Sequence, residues 1–578
     1  VVSQALPNGP LAITLDDEIS LTRRNQPFDY CHCERCNRHF RRWLLARHGS
    51  LAAINTLWNH DHASLDDVRP WSTGIMRRRA LQSPLPEWNL APWNDHREFM
   101  EEQLTSLLSE LADHARRLAP GRPVGFTGGG APSPFSGIDW GRVTRDLDAF
   151  EPYDEGGSHA LVRSFARPGS IILRTLFESP FGTEAERHEL WDYFLRGDRG
   201  AILWSSKSWF EAGRVDRPTR RARDLAPTLT QLSSQAAAEW IAATPEPAQV
   251  AILESSASNR AHWMIDSRFD GGTWVHRSGS GSIRDSSQDR TREAWQKLLE
   301  DLQLPYRHLR LEDLTEQSLD GFKAVILPRI LALSQQQADT LRRYADHGTL
   351  IADGQTGWFN EHLQARSEGL LDEFFGIRRR DFRVALSGAD SVATEDPKHL
   401  GLHLAESGCE LTEGTMATMN VANGAAVIVR SGAGGGRRVY LNLLVAPYLE
   451  NRNGEQPDNL LELMRGLMRL AGARPVVQLR DRPGRHAPIR AELRRNGDRW
   501  YLGLILNRGC TTLKKEATDA LTAMIREELP RSIEVSLPIA GHARVLLPAS
   551  SDYVDDTRRS WQSVLVPAVG GIVVRIDP

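Results

Sequence analysis

The chain has 578 residues, of which 40% are hydrophobic and 25% are charged, and its formal net charge is -3. This length exceeds what one hydrophobic core organises, so about three domains are expected. The near-neutral charge provides no basic surface for nucleic acid, and no apolar run approaches the ~20 residues of a membrane helix. Five cysteines are too few for a disulfide framework in a protein of this size.

Residues 1–245 alternate short apolar strands with longer helical patterns, which indicates βα units and a parallel sheet. Five strands are predicted: four at Leu11–Leu15, Pro123–Thr127, Ser170–Phe177 and Gly200–Ser205, and a weaker one, third in chain order, that ends near Glu151–Tyr153. Five strands of this kind are most of a (β/α)8 barrel, three short of the full set. The predicted fold class of this domain is therefore α/β, a partial TIM barrel.

Helical patterns connect these strands. Arg35–His48 carries an apolar stripe, and Gly49 is placed to end that helix. Ser50 is a candidate N-cap for a second helix over Leu51–Trp58. A long helix is predicted at about Asp95–Leu118.

Residues 246–473 form a second predicted α/β domain, with a flavodoxin-like pattern. Its strands are predicted at Val250–Leu253, Phe322–Pro328 and Thr349–Asp353, with Leu341 and Tyr344 on the inner face of an intervening helix. The glycines of Gly432–Gly436 join two strands, so they indicate a hairpin turn rather than a phosphate-binding loop, which needs a following helix.

Residues 474–578 change to short alternating strands and predict a small antiparallel β-sandwich domain. The dipeptide Asn496-Gly497, between two apolar runs, is a strong hairpin signal.

Carboxylates that follow barrel strands are the candidates for chemistry, because the active site of such a barrel lies at the carboxyl ends of its strands. Glu18 follows the first predicted strand and Glu178 follows the fourth. Hydrolysis of a glycoside requires two carboxyl groups, one as acid/base and one as nucleophile. The structural alternative is that each carboxylate caps a helix or accepts from backbone amides.

Three further acidic residues, Glu151, Asp154 and Glu155, end the weaker strand and are a rival source of the nucleophile. Glu151 precedes a proline, which favours a structural role there. Trp204 ends the fifth strand, and its flat apolar face suits contact with a sugar.

Three cysteines, Cys31, Cys33 and Cys36, fall within six residues. Thiolates at this spacing are zinc ligands or a redox group, and thiolate-rich zinc sites are structural rather than catalytic. Three sulfurs make an incomplete tetrahedron, so a fourth ligand must come from elsewhere. Within the chain, His32 and His39 are the nearby candidates.

The order of a strand-end carboxylate, the segment FDYCHCERC and the helix pair FRRWLLARHGSLAAINTLW resembles glycoside hydrolase family 42, the bacterial β-galactosidases. The resemblance implies an acid/base after barrel strand four and a nucleophile after strand seven. If Gly200–Ser205 is strand eight, Glu178 becomes the nucleophile and Glu18 the acid/base. It also implies that the first three strands and the fourth zinc cysteine belong upstream of this chain.

The resemblance extends to the middle domain, which is similar to the family's trimerisation domain, a class I glutamine-amidotransferase-like fold without that activity. Leu327-Pro328-Arg329 stands where an amidotransferase places its nucleophilic cysteine. A homotrimer and a structural zinc are therefore implied. Two positions depart from the family: Asp17 replaces an asparagine that binds a sugar hydroxyl, and SSKSWFEAGR matches poorly, which leaves Glu211 as a lesser candidate.

The preferred prediction is a retaining glycosidase that cleaves terminal β-D-galactosides or related oligosaccharides, with no nucleic-acid or membrane partner. A close rival keeps the reaction with another sugar, a β-glucoside, fucoside or α-arabinopyranoside. Two further hypotheses are a non-catalytic carbohydrate-binding homologue and a zinc-ribbon binding module. A cytoplasmic location is expected, with secretion as the competing prediction because the chain begins at Val1.

Overall fold

The computed structural model describes residues 11–22, 29–277, 285–379, 402–421, 424–452, 459–480, 488–512, 530–539, 541–548, 554–556 and 562–577. Within these ranges the strands form a five-stranded, a seven-stranded, a six-stranded, a three-stranded and two two-stranded sheets. No helix in the described ranges combines the length and the apolar composition that a membrane span requires.

The first sheet is parallel, and its five strands are neighbours in chain order. They are β1 (Ile13–Asp17), β2 (Val124–Gly129), β3 (Ala149–Pro152), β4 (Ile171–Leu176) and β5 (Gly200–Leu203). All five predicted strands are therefore confirmed. Because the strands are parallel, their carboxyl ends meet at one edge of the sheet. Among the described strands, β1 pairs only with β2.

Ten helices accompany this sheet in the described residues: α1 (Glu34–His48), α2 (Leu51–Trp58), α3 (Thr73–Gln82), α4 (Ala91–Leu118), α5 (Trp140–Asp146), α6 (Ser158–Phe165), α7 (Thr183–Leu195), α8 (Ser206–Trp209), α9 (Arg220–Leu232) and α10 (Gln235–Ala242). Short 3-10 turns lie at Leu65–Asp67 and Leu85–Glu87. A hairpin of β6 (Phe210–Glu211) and β7 (Arg214–Pro218) follows α8.

The predicted helix boundaries are set by local capping. The Ser50 hydroxyl accepts a hydrogen bond from the Ala53 amide at the start of α2, and Gly49 ends α1 with φ of 83°. Helix α4 begins at Ala91 rather than Asp95, because the Asn89 side chain accepts from the Ala91 amide and Pro92 suits a first turn.

The second sheet has the strand order β10-β9-β11-β12-β17-β16-β15, parallel up to β17 and antiparallel beyond it. Its strands, with the preceding β8 (Thr244–Pro245), are β9 (Val250–Glu254), β10 (Tyr306–Arg310), β11 (Ala324–Leu327), β12 (Thr349–Asp353), β15 (Met419–Val421), β16 (Gly424–Ser431) and β17 (Arg437–Leu441). A separate pair consists of β13 (Ile377–Arg379) and β14 (Cys409–Leu411). The Gly432–Gly436 segment is the predicted hairpin turn, closed by the Gly432 amide on the Gly436 carbonyl.

Apolar cores lie on both faces of this sheet. The helices are α11 (Ser256–Asp266), α12 (Ser287–Asp301), α13 (Gln335–Tyr344), α14 (Asp372–Phe375), α15 (Tyr448–Asn451) and α16 (Asn459–Leu470), with 3-10 segments at Ser267–His276, Leu311–Asp313 and Gln317–Leu319. Leu341 and Tyr344 are buried on α13, as the sequence indicated.

The last part of the chain contains two antiparallel sheets that share one apolar core. Their strands are β18 (Gln478–Arg480), β19 (Ile489–Asn496), β20 (Arg499–Leu506), β21 (Arg531–Ser536), β22 (His542–Leu547), β23 (Val554–Asp556), β24 (Gln562–Val566) and β25 (Gly571–Asp577). The predicted Asn496-Gly497 hairpin joins β19 to β20. Strand β8 pairs with β19. The limits of the three domains, 1–245, 246–473 and 474–578, stay a prediction.

Candidate active site

The candidate residues lie at the carboxyl-terminal edge of the five-stranded sheet. Asp17 is the last residue of β1 and Glu18 follows it, while Glu178 lies just beyond the end of β4. Trp204 directly follows β5 and is 56% exposed. The three acidic residues are exposed as well. This edge therefore presents three carboxyl groups and an aromatic face to a substrate from solvent.

Glu18 has an unusual backbone conformation that the neighbouring strand stabilises. Its φ of 52° lies in the left-handed region, which non-glycine residues rarely adopt and which is often found at functional sites. The Glu18 amide donates to the Thr127 carbonyl at 3.1 Å. Gly128 allows this approach, since a β-carbon there would lie 2.6 Å from the Glu18 nitrogen.

Tyr153, in the turn after β3, lies between the Glu18 side chain and the segment that leads to Glu178. Its hydroxyl donates a hydrogen bond to Glu18 Oε1 at 3.1 Å. Its ring centroid lies 6.0 Å from that of Phe177, the residue before Glu178. Tyr153 thus contacts Glu18 directly and the residue that precedes Glu178 in the chain. The separation of their carboxyl groups, about 5 Å for a retaining enzyme, stays a prediction.

Asp17 is held beside Glu18 by a hydrogen bond across to β2. The Thr127 hydroxyl donates to Asp17 Oδ1 at 2.8 Å. The side chain is exposed at the end of its strand, so it places a second carboxyl group next to Glu18. The contact between Asp17 and a sugar hydroxyl stays a prediction, and the exposed position of the side chain is compatible with it.

Of the rival carboxylates, Glu151 has a structural role. It is 1% exposed and accepts from the Gly128 amide at 2.5 Å and the Thr175 amide at 3.1 Å. Burial raises its pKa, and the charge of Asp17 acts in the same direction. Glu151 therefore joins the backbones of β2 and β4 on either side of its own strand, which agrees with the structural role that its proline neighbour favoured.

The other candidate carboxylates differ in their surroundings: Asp154 is paired, whereas Glu211 is exposed. Asp154 forms an ion pair with Arg174 at 2.7 Å; burial alone would raise its pKa, but Arg174 holds it below the usual value. The Glu155 amide closes the turn on the Tyr153 carbonyl. Glu211 is exposed on β6, 4.0 Å from Arg217.

The three cysteines converge at the start of α1. The sulfur atoms of Cys31, Cys33 and Cys36 all lie within 4.8 Å of one another, a spacing that one metal ion with metal–sulfur bonds of ~2.3 Å can span. Hydrogen bonding from the Cys36 backbone lowers the Cys33 pKa to about 7, whereas burial and the other two thiols raise the Cys36 pKa to about 12. A divalent cation would relieve this mutual repulsion, so the group fits a metal.

No fourth histidine, cysteine or carboxylate joins this group among the described residues. His32 lies instead against His96, with ring centroids 4.9 Å apart. The prediction that the three cysteines form one group is confirmed, and this group could bind a metal ion; metal binding itself stays a prediction.

Two buried residues behind the edge were not anticipated. Glu186 is 1% exposed and Arg221 is 9% exposed, and they form an ion pair at 2.7 Å. Neither stands at a strand end or in a recognisable motif, so no local signal identifies them.

Comparison with known proteins identifies similar sequences and similar folds. Residues 11–155 match the family model of glycoside hydrolase family 42, described as β-galactosidase. The β-galactosidase LacZ of Heyndrickxia coagulans is 22% identical over 530 residues, which cover 82% of this chain and 70% of that protein.

Two solved structures share the fold. The β-galactosidase of Bacillus circulans sp. alkalophilus aligns with a TM-score of 0.64 and 17% identity, covering 96% of this chain and 78% of its own. The GH42 β-galactosidase Gan42B aligns with a TM-score of 0.68 and 15% identity, covering 100% and 80%. The resemblance to glycoside hydrolase family 42 is therefore confirmed, and this chain is similar to β-galactosidases of that family.

Proposed function

We propose that the protein is a retaining glycosidase that cleaves terminal β-D-galactosides through a covalent glycosyl intermediate. Glu178 is the nucleophile and Glu18 the acid/base. The observation that carries the proposal is the position of both glutamates at the carboxyl edge of the same parallel sheet, where Tyr153 contacts Glu18 and the residue before Glu178. The names of these three relatives, each a β-galactosidase, support the choice of sugar.

In this reaction Glu18 protonates the glycosidic oxygen while Glu178 attacks the anomeric carbon and forms the glycosyl ester. Water then displaces the sugar, with Glu18 accepting the proton from that water. Trp204 packs against the sugar ring, and Asp17 accepts a hydrogen bond from a sugar hydroxyl. The five-stranded sheet is the second part of a (β/α)8 barrel in this proposal.

We further propose that Cys31, Cys33 and Cys36 bind a structural zinc ion whose fourth ligand lies outside the described group. The cluster follows the segment that carries Glu18, so a metal there braces the active-site region. The zinc takes no part in the chemical step. The middle, flavodoxin-like sheet is proposed to mediate a homotrimer, which sedimentation of the purified protein tests.

The catalytic pair is tested by aryl β-galactoside hydrolysis with Glu178→Ala, Glu18→Ala and Glu151→Gln. Glu178→Ala should lower kcat by about 10⁴-fold or more. Glu18→Ala should spare substrates whose leaving group needs no protonation. Glu151→Gln, which alters the rival carboxylate on β3, should lose less than about tenfold.

Three results would contradict the proposal: no turnover by the unaltered protein, activity in Glu178→Ala, or a loss in Glu151→Gln as large as that in Glu178→Ala. Parallel assays with β-glucosides, β-fucosides and α-arabinopyranosides decide the sugar.

A further inference from the structure

Two loops at the candidate active site are connected from behind by one buried side chain. Glu186 lies in the first turn of α7 and is 1% exposed. Its Oε1 accepts a hydrogen bond of 2.9 Å from the amide of Ser179, the residue after Glu178. Its Oε2 accepts a hydrogen bond of 2.7 Å from Arg221 Nε. One carboxylate therefore joins the Glu178 segment to helix α9.

Arg221 continues this connection to the next loop. Its Nη1 donates to the Trp204 carbonyl at 3.2 Å and to the Ser208 hydroxyl at 2.6 Å. The guanidinium also lies 4.6 Å from the ring centroid of Trp209. At the strand ends, the Trp204 amide also donates a hydrogen bond of 3.1 Å to the Leu176 carbonyl, which connects the same two loops. The Glu178 and Trp204 segments are thus joined twice, by a backbone hydrogen bond at the strand ends and by the buried Glu186–Arg221 pair.

We propose that the Glu186–Arg221 pair is a positioning device that fixes the Glu178 segment relative to the Trp204 segment, an inference that rests on the function proposed above. The physical reason is that the Ser179 amide plane sets the backbone direction of the residue before it. A displacement of about 1 Å in a nucleophile costs on the order of 100-fold in rate. Both charges are buried, and a buried pair with additional hydrogen bonds holds a single geometry better than an exposed one does.

The experiment compares Glu186→Gln with Glu184→Gln in the full chain. Glutamine keeps an oxygen that accepts from the Ser179 amide but removes the charge that orients Arg221. Glu184 is the matched control, because it forms an exposed ion pair with Arg187 at 3.4 Å on the same helix. Arg221→Lys is the second variant, since it keeps the charge but cannot contact Glu186 and Trp204 together.

The readouts are kcat and KM on an aryl β-galactoside, and hydrogen exchange of the peptides that contain Ser179 and Trp204. We expect Glu186→Gln and Arg221→Lys to lower kcat about 10- to 100-fold with KM changed less than about 3-fold. Exchange should accelerate in those two peptides alone. Glu184→Gln should match the unaltered protein in both measurements.

Unchanged kcat in both buried variants overturns the proposal, as does faster exchange spread evenly over the chain, which a merely structural pair would produce. If Glu186→Gln does not fold, Arg221→Lys decides by the same criteria. If the unaltered protein cleaves no galactoside, the proposed function fails separately, and localised exchange still decides whether the pair couples the two loops.

Discussion

The Tyr153 hydroxyl donates a hydrogen bond of 3.1 Å to Glu18 Oε1, although 135 positions separate the two residues in the chain. The bond passes over the end of β2, where Gly128 leaves room for the Glu18 backbone. It orients the carboxylate of the proposed acid/base towards the turn that follows β3. The geometry of the site therefore depends on residues from three different strand ends.

Removal of this hydrogen bond should reduce catalysis more than stability. Tyr153→Phe keeps the ring contact with Phe177 but removes the tyrosine hydroxyl that donates to Glu18. We expect kcat/KM to fall about tenfold, near the lower limit for hydrogen bonds to charged groups. Tyr501→Phe is the control, because the Tyr501 hydroxyl contacts Glu239 at 3.2 Å in another part of the molecule. Equal kcat/KM in Tyr153→Phe and the unaltered protein would contradict this role.

The close approach of Gly128 to Glu18 is tested by Gly128→Ala. Gly128 and Gly213 share a φ of 72°, so alanine at either position costs about 1–2 kcal/mol of backbone strain. Only at Gly128 does the new β-carbon collide with Glu18, since nothing lies within 4 Å of such an atom at Gly213.

We therefore expect Gly128→Ala to lower the melting temperature more than Gly213→Ala does, and we expect a loss of about 100-fold in kcat/KM for Gly128→Ala alone. An equal effect of the two variants on kcat/KM would show that strain, rather than contact with Glu18, is responsible.

The cysteine cluster predicts a metal content that elemental analysis can measure. The purified protein should contain about one zinc ion per chain, because three convergent thiolates form most of a tetrahedral site. Cys33→Ser should lose the metal and lower the melting temperature, since binding to the folded state alone stabilises it. Cys409→Ser, outside the cluster, should retain both properties. A zinc-free protein of unchanged stability would remove the proposed site.

His188 predicts a pH dependence of stability. Its Nε2–H donates to the Leu506 carbonyl at 3.0 Å and its Nδ1 accepts from the Gly570 amide at 3.3 Å, so the neutral ring is fully paired. Burial, followed by the charge of Arg508, lowers its pKa from 6.5 to about 4. Below pH 6.5 the unfolded chain binds the proton more readily than the folded chain does. The His188 contribution is therefore fully present above pH 6.5 and declines as the pH falls towards 4.

We expect this group to account for a loss of about 3 kcal/mol in the free energy of unfolding between pH 6.5 and pH 4. Urea denaturation of His188→Gln should show a shallower decline over this range than the unaltered protein. The exposed His114→Gln serves as control. Burial raises the pKa of Glu189 to about 7, so its contribution to the free energy of unfolding has the opposite pH dependence. Because every variant retains Glu189, this contribution cancels in the comparison. Parallel pH profiles for His188→Gln and the unaltered protein would contradict the prediction.

Much of the fold was predictable because its determinants are local. Strand β12 and helix α13 follow from short apolar runs and helical periodicity, and the β19–β20 turn follows from Asn496-Gly497. The Ser50 cap is likewise a contact within three residues. The cysteine group was predictable for the same reason, because all three ligands lie on one short segment.

By itself, the sequence determined the order of the strands, the acidic residues at their ends, the three-cysteine group and the resemblance to a glycosidase family. Only the tertiary structure decided which strand-end acid is exposed and which is buried. Glu18 and Glu151 have the same local pattern, a carboxylate after an apolar run, yet the first is exposed and the second is 1% exposed between two backbone amides. Their difference arises from neighbouring strands distant in the chain, because burial and hydrogen-bond partners are properties of the packed sheet and not of a segment.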